Sequence, residues 1–237
     1  MKILVGISGA SGAHLGVKLA NFLALKHDVG VIISQGASFA FRAEKANLYL
    51  ENSENSGFEF SKNSDPTGCE AKNSISENSE NSAVVLKNSA LKNSGKILKN
   101  SALKLADFLN PKIAVFDAMD AAPASGSSGY EAMIIAPCST NSLAKIACGI
   151  SDNLLLRAAA VMLKEKRKLV LAVRELPFSP ISLEQMTNLA KIGAIIAPPI
   201  LAYYSKPQSL EDAENFIIGK WLDALGVENS LFKRWEK

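Results

Sequence analysis

Short apolar runs alternate along the chain with longer stretches in which apolar residues recur at helical spacing. The runs are rich in β-branched residues, which is typical of strands buried on both faces. Five or six such strands are predicted, at residues 3–7, 29–34, 113–116, 133–136, 169–173 and 194–197. The helical spacing covers residues 13–25, 37–50, 102–109, 143–148, 153–166, 183–192 and 210–225. Alternating strands and helices predict an α/β fold with a doubly wound, mostly parallel sheet in a three-layer sandwich.

One stretch interrupts this pattern, from residue 51 to residue 101. The pair Asn-Ser recurs there nine times among Glu and Lys, and apolar periodicity is almost absent. Such a composition cannot bury enough apolar surface to offset the entropy lost when the chain is ordered. We therefore predict a single domain over residues 1–237 that carries a disordered, low-complexity insertion at residues 51–101 without a catalytic role.

Composition excludes several classes of function. The net charge of +3 on 237 residues is too small, and the basic residues too scattered, to favour nucleic acid or a membrane surface. No apolar run approaches the roughly 20 residues of a membrane-spanning helix, and the N-terminus lacks a signal-peptide pattern, so we expect the cytoplasm. The chain has three cysteines and two histidines, which are too few to favour a disulfide framework, a metal site or Ser-His-Asp chemistry. His14 and His27 are expected to be surface or capping residues.

The first strand leads into a Gly- and Ser-rich turn and then directly into a helix. Backbone N–H groups and the positive end of the helix dipole would converge at that turn and favour an anion. The glycine spacing matches neither the dinucleotide fingerprint nor the P-loop, so a mononucleotide phosphate suits it better. Ser34 ends the second strand at the same edge of the predicted sheet, where open parallel sheets bind ligands.

Two further strand ends carry polar side chains. Residues 139–142 read Ser-Thr-Asn-Ser at the mouth of a helix, where hydroxyls can either cap the helix or contact a ligand. Their number, together with the Ser-Gly-Ser of residues 125–127, favours ligand contact. Arg174 and Glu175 follow the fifth strand, and charges at the end of a buried strand are costly unless they are used or paired. We therefore predict a functional role for them.

Together these motifs resemble the flavin prenyltransferases. The similar blocks are GISGASGAH at residues 6–14, ASGS at 124–127, APCST at 136–140, RAAAVMLKEKRKLVLAVRE at 157–175 and GAIIAPPILAYYSKPQSLED at 193–212. The resemblance covers the chain outside the Asn-Ser stretch. It implies a flavodoxin-like fold assembled as a homododecamer with active sites between subunits. It also implies transfer of a dimethylallyl group from dimethylallyl monophosphate to N5 and then C6 of reduced FMN, without a metal. The product would serve a partner decarboxylase of the ubiquinone-type pathway.

The resemblance also assigns roles to residues of this chain. Four are implied to be catalytic: Glu44, Lys164, Glu175 and Tyr204. The implied FMN contacts are Gly9, Ala10, Ser11, Ser34, Ser139, Thr140, Asn141, Ser142 and Arg174. The implied contacts to the prenyl phosphate are Arg157, Lys164, Tyr204 and Lys220, with Trp235 as a nearby aromatic.

The chemistry fits these residue types. Cations and a phenol would hold the departing phosphate, aromatic faces would shelter the allyl cation, and Glu175 would steer protons. The chain departs from many relatives at Lys220, where they have Arg, and at Ser128, where they often have an aromatic residue. The Lys220 change keeps the charge but loses the bidentate fork of Arg.

Two alternatives stay open. An FMN-dependent cysteine decarboxylase of the phosphopantothenoylcysteine type would share the fold and the flavin site. Such enzymes use a histidine after the third strand, and this chain has none beyond His27. A flavin carrier without chemistry is the other alternative, although FMN retention alone would not require Glu175, Tyr204 and Lys220.

Overall fold

In the part of the chain that the structure describes, six parallel strands form one sheet. The structure is a computed structural model that describes residues 1–54 and 104–235, and of residues 45–54 the backbone alone. The strands are Lys2–Ile7 (β1), Asp28–Ile33 (β2), Ala114–Phe116 (β3), Ala132–Cys138 (β4), Lys168–Val173 (β5) and Ile195–Ile196 (β6). Their order is β3-β2-β1-β4-β5-β6, and all five pairings are parallel. This is the order of a doubly wound Rossmann-type sheet, so the predicted fold class is confirmed.

Helices cover both faces of the sheet. They are Ala13–Leu23 (α1), Gln35–Glu54 (α2), Thr140–Ala147 (α3), Leu154–Lys164 (α4), Pro180–Lys191 (α5) and Leu210–Leu225 (α6). Strand side chains alternate between two hydrophobic cores, as the period of two in a strand requires. Ile3 and Val5 pack in one core with α1, α2 and α6, whereas Leu4 packs in the other with α3, α4 and α5. The protein is therefore the three-layer sandwich that the alternation predicted.

Several boundaries differ from the sequence-based predictions. Helix α2 begins at Gln35 and continues to Glu54, four residues into the predicted insertion. The rest of that insertion lies outside the described residues. A single 3₁₀ turn, Leu105–Phe108, occupies the described part of the helix predicted at 102–109. Pro111 limits it, because the residue before a proline disfavours helical backbone.

The His, Cys, Asp and Glu side chains that the structure describes, in residues 1–44 and 104–235, form no cluster suited to a metal. Cys138 and Cys148 are both free thiols. Burial raises the pKa of Cys138 to about 12, so this thiol is neutral and packs as an apolar side chain. Over the same described ranges, none of the helices has the length and hydropathy required to traverse a bilayer.

Candidate functional site

The chain reverses its winding direction between β1 and β4, and the turns after these two strands are joined by Ser8. Its side chain is fully buried. Ser8 Oγ donates to the carbonyl of Pro137 at 2.9 Å and accepts from the N–H of Ser139 at 2.7 Å. The crevice at such a switch point is where doubly wound sheets bind ligands. Sequence reasoning placed Ser8 in the turn but gave it no role, because its partners lie about 130 residues further along.

The turn after β1 also touches the start of α2 backbone to backbone. A Cβ atom on Gly9 would lie 2.9 Å from the Cα of Gly36, and one on Gly36 would lie 3.1 Å from the Cα of Gly9. Only two glycines permit this approach, since a side chain on either would fill the gap. Ser34 Oγ accepts from the N–H of Ala37 at 3.2 Å and so caps α2. The structure therefore brings Gly9 and Ser34 together, as the sequence predicted.

Residues 139–142 begin α3 at the same edge of the sheet. Ser139 is the N-cap, and its Oγ accepts from the N–H of Ser142 at 3.2 Å and donates to Ser142 Oγ at 3.0 Å. Ser139 therefore caps α3, which is one of the two roles that the sequence left open for residues 139–142. Asn141 is exposed on the first turn and Thr140 is half-buried, so both remain open to a ligand.

Arg174 and Glu175 follow β5 at this edge too. The N–H of Arg174 donates to the carbonyl of Cys138 at 2.9 Å, which extends the β4–β5 pairing. Both side chains are exposed, and Glu175 accepts only the N–H of Leu176, at 3.1 Å, among the described contacts. The sequence argument from the cost of buried charge is therefore wrong, because neither charge is buried. Their position at the carboxyl end of β5 is as predicted.

Glu44 reaches the turn from α2. Its Oε1 accepts the N–H of Gly12 at 2.6 Å. Its Oε2 lies 3.8 Å from His14 Nδ1, and His14 Nε2 lies 2.8 Å from Glu214 Oε1. The second oxygen of Glu214 bonds Lys18 Nζ at 2.7 Å. His14, predicted to be a surface or capping residue, instead links carboxylates from α2 and α6.

These contacts shift the pKa values of the acids and of the histidine in opposite directions. Hydrogen bonding to Glu214 first, and then interaction with Glu44, raises the pKa of His14 to about 9 against the effect of burial. Burial alone would raise the pKa of Glu44, but His14, the N–H of Gly12 and the side chain of Ser11 outweigh it and hold that pKa below its usual value. The pKa of Glu214 is lowered in the same way by His14 and Lys18, again against burial.

A second group of predicted residues meets beside α6. Tyr204 packs edge-on against Phe216 at 5.7 Å between ring centroids and against Trp235 at 5.3 Å. Phe216 in turn contacts Phe232 at 4.8 Å, and Lys220 Nζ lies 6.0 Å from the Phe232 ring. Tyr204, Lys220 and Trp235 are thus brought together. Sequence reasoning missed Phe216 and Phe232, although Phe216 stands one helical turn before Lys220, a spacing that puts both on one face.

Arg157 and Lys164 lie elsewhere, on α4. Arg157 Nε donates to the carbonyl of Ala124 at 3.1 Å, and Lys164 pairs with Glu165. Lys164 also lines a largely apolar cavity of about 340 Å³ between α3 and α4. It ends α4 just before the amino end of β5, whereas Arg174 follows the carboxyl end, so about 20 Å of six-residue strand separates them. Within a single chain, Lys164 therefore lies far from the turn after β1.

Comparison with known proteins assigns the chain to a family. A family model described as Flavoprotein matches residues 1–221. The flavin prenyltransferase UbiX of Campylobacter jejuni is 40% identical over 237 residues, covering 100% of this chain and 99% of that protein. The chain belongs to the UbiX flavin prenyltransferase family. This confirms the resemblance inferred from the sequence motifs.

Solved structures of UbiX proteins share the fold over the whole chain. AnUbiX (PadA1), solved in complex with FMN and dimethylallyl pyrophosphate, is 28% identical with a TM-score of 0.70, covering 100% of this chain and 98% of that one. A dodecameric FMN-dependent UbiX-like decarboxylase from Escherichia coli O157:H7 is 29% identical with a TM-score of 0.70, covering 100% of both chains. The six-stranded sheet described above is thus the UbiX fold.

Proposed function

We propose that this UbiX-family protein transfers a dimethylallyl group from dimethylallyl monophosphate to reduced FMN, bonding it at N5 and C6 to give prenylated FMN. Identity to a UbiX protein along the whole chain carries this proposal. Two relatives of known structure support it, one solved with FMN and dimethylallyl pyrophosphate and one described as FMN-dependent. When bound, reduced FMN would supply the nucleophilic positions, and the protein's own residues would hold both reactants.

The switch-point crevice fits a flavin mononucleotide. The N-termini of α1, α2 and α3 open at the carboxyl edge of the sheet, so their free N–H groups favour a phosphate. The backbones of Gly9 and Gly36 are in direct contact, which fixes the turn after β1 against the start of α2 at this edge. Arg174 is exposed at the same edge and would add a bidentate cation. The FMN contacts are Gly9, Ala10, Ser11, Ser34, Ser139, Thr140, Asn141, Ser142 and Arg174.

The prenyl donor requires cations for its phosphate and apolar walls for its allyl group. Tyr204, Lys220 and Trp235 supply a phenol, a cation and an aromatic face within one cluster. Arg157 and Lys164 would add two cations, which stabilise the departing phosphate. Glu175 and Glu44, both at the carboxyl edge, would hold or accept protons.

We further propose that one protomer supplies Arg157 and Lys164 to a site whose flavin turn belongs to another. Within one chain, about 20 Å of β5 separates Lys164 from Arg174, so the two side chains cannot serve the same bound reactants. They can do so if Lys164 comes from one protomer and Arg174 from another. The dodecameric E. coli relative supports self-association, and we propose a homododecamer for this protein. From the composition we also propose a cytoplasmic location, and from the family resemblance a partner decarboxylase that receives the prenylated flavin.

The test follows the mass of the bound flavin. Purified protein is loaded with FMN, reduced with dithionite and mixed in separate samples with dimethylallyl monophosphate or diphosphate. The extracted flavin should gain the mass of one C5 unit, and the two samples decide which donor is used. Glu175→Gln should cut turnover while FMN stays bound. Bound FMN whose mass never changes with either donor would instead favour the flavin-carrier alternative.

A further inference from the structure

Helix α1 begins without a capping side chain of its own. Its N-cap, Gly12, has a left-handed backbone (φ 91°) and offers no side chain to the free N–H groups of the first turn. The N–H of Gly12 is bound instead by Glu44, 32 residues along the chain, at 2.6 Å. The Glu44 carboxylate is thus fixed against the turn that we assign to FMN.

His14 stands between two carboxylates. Its Nε2 is 2.8 Å from Glu214 and its Nδ1 is 3.8 Å from Glu44. A neutral imidazole carries one N–H and one lone pair, so one nitrogen would turn its lone pair towards a carboxylate. The imidazolium carries two N–H groups and satisfies both acids. Two carboxylates on opposite sides of the ring therefore favour the charged form, in which one N–H donates to Glu214 and the positive charge faces Glu44 at 3.8 Å. The hydrogen bond to Glu214 raises the pKa of His14 to about 9 in the same direction.

The second oxygen of Glu44 depends on that charge. Among the described residues, Glu44 Oε2 is buried and accepts no hydrogen bond, and its distance to His14 is that of an ion pair. A buried carboxylate oxygen without a compensating cation is unfavourable. The groups facing His14 are Glu44 from α2 and Glu214 from α6, with Lys18 of α1 on the far side of Glu214.

We propose that His14 is a positioning residue: its imidazolium, anchored by Glu214 of α6, holds Glu44 ionised and against the turn of Ser11 and Gly12. The proposal rests on the proposed function only in giving Glu44 a part in the reaction. It links α6, which carries Lys220, to the flavin turn through one chain of alternating charges. Glu44 with its proton, or turned away from Gly12, would present a different surface to the flavin.

The pH dependence follows from the signs of the charges. Loss of the His14 cation removes an interaction that favours the Glu44 carboxylate, so the pKa of Glu44 rises. If the acid limb of the pH–rate profile reflects protonation of Glu44, that limb moves to higher pH. In the unaltered protein the stabilisation from the His14 cation is fully present below the ordinary histidine pKa of 6.5, as long as the two carboxylates stay ionised, and it is lost as the pH rises through about 9.

The first experiment measures the titration of His14 without reference to activity. Hydrogen–deuterium exchange at the imidazole Cε1 position, read by peptide mass spectrometry, gives a midpoint for each histidine in the assembled protein. The chain has two histidines, and His27, whose pKa is lowered by partial burial and nearby cations, is the internal control. The His14 midpoint should lie near 9 and fall in Glu214→Gln and in Glu44→Gln. A midpoint near 6.5, or one that neither variant moves, would overturn the proposal.

The second experiment compares His14→Gln with His27→Gln in prenyl transfer across pH. His14→Gln should lower kcat several-fold at neutral pH and shift its acid limb upwards by about one pH unit, with FMN affinity unchanged. His27→Gln should match the unaltered protein. Superimposable profiles for the two variants would refute the role of His14. If the unaltered protein transfers no prenyl group, that failure belongs to the proposed function, and the Glu44→Gln titration still decides whether His14 holds Glu44.

Discussion

At the scale of single residues, Ser8 makes two hydrogen bonds from the turn after β1 to the end of β4. Its buried hydroxyl donates to the Pro137 carbonyl and accepts from the Ser139 N–H, so it satisfies two backbone groups there. A buried donor or acceptor that loses its partner costs the desolvation of that group. The turn assigned to FMN is therefore held by a hydroxyl that itself need not touch the ligand.

Ser8→Ala should destabilise the protein by about 1–3 kcal/mol, because it leaves the Ser139 N–H without a partner, while the Pro137 carbonyl keeps only the backbone N–H of residue 8. Chemical denaturation measures the loss. Ser205→Ala is the matched control, since that hydroxyl donates to the carbonyl of Ala202 at 2.7 Å within a half-buried 3₁₀ turn. A loss in Ser8→Ala no greater than in the control would mean that water replaces the bridging hydroxyl.

The sequence predicted residue roles well where the partner is local. Capping by Ser139 was one of two roles that the sequence offered, and Ser209 caps α6 in a capping box with Asp212, three residues along. The pairing of His14 could not be predicted, because Glu214 lies 200 residues away and only the packing of α6 on α1 brings it near. The desolvation argument for Arg174 failed for a related reason: it assumed that a buried strand implies buried flanking residues.

At the scale of elements, the sequence-based boundaries are best for the buried strands. The predicted run at 169–173 differs from β5 by one residue, and α6 was predicted at its observed bounds. Strand β6 is shorter than predicted, Ile195–Ile196, since it pairs only with β5 at the sheet edge. The apolar pattern reports burial, whereas the end of an edge strand depends on how many neighbours it has, which no local pattern reveals.

The C-terminal segment, residues 232–235, packs against α6 and is called the strap below. Arg234 binds Asp223 in a fork at 2.6 and 2.8 Å, and its guanidinium lies 4.7 Å from the Phe232 ring. Phe232 fills the space over Gly219, where a Cβ atom would lie 2.4 Å from the ring. This seating places Trp235 against Tyr204. The aromatic wall proposed for the prenyl group therefore depends on a glycine in the middle of a helix.

Gly219→Ala tests this dependence, because the substitution should lower the stability of the protein, whereas a glycine-to-alanine change in a helix usually raises it. Alanine in a helix interior normally stabilises by about 0.5–1 kcal/mol relative to glycine. Here overpacking against Phe232 should instead destabilise by about 1–3 kcal/mol and raise the KM for the prenyl donor. Thermal or denaturant unfolding and donor saturation curves provide the measurements.

The matched background is Phe232→Ala, which removes the ring that the new methyl group would strike. Adding Gly219→Ala to that background should be neutral or stabilising, so the two changes should not be additive. If Gly219→Ala stabilises the unaltered protein as well, Phe232 moves aside at little cost. The strap would then not be a fixed wall.

At the scale of the whole molecule, the predicted site residues fall into separate groups within one chain. The flavin turn, Ser34, Ser139 and Arg174 gather at the carboxyl edge, and Tyr204, Lys220 and Trp235 gather beside α6. Arg157 and Lys164 lie on α4, with Lys164 towards the amino end of β5. The sequence could supply the residues but not this division, because strand direction decides which end of the sheet each one reaches.

Subunit mixing distinguishes a shared site from a site within one chain. Lys164→Ala and Glu175→Gln each remove one group, and each variant alone should be nearly inactive. If Lys164 serves a site whose Glu175 belongs to another protomer, random one-to-one reassembly of the two variants restores about a quarter of the sites, since each contributing protomer is intact for its group half of the time. A site within one chain would recover nothing, because every protomer then carries a damaged site. Mixing Lys164→Ala with Arg157→Ala, whose residues share α4, is the control and should recover no activity under either arrangement.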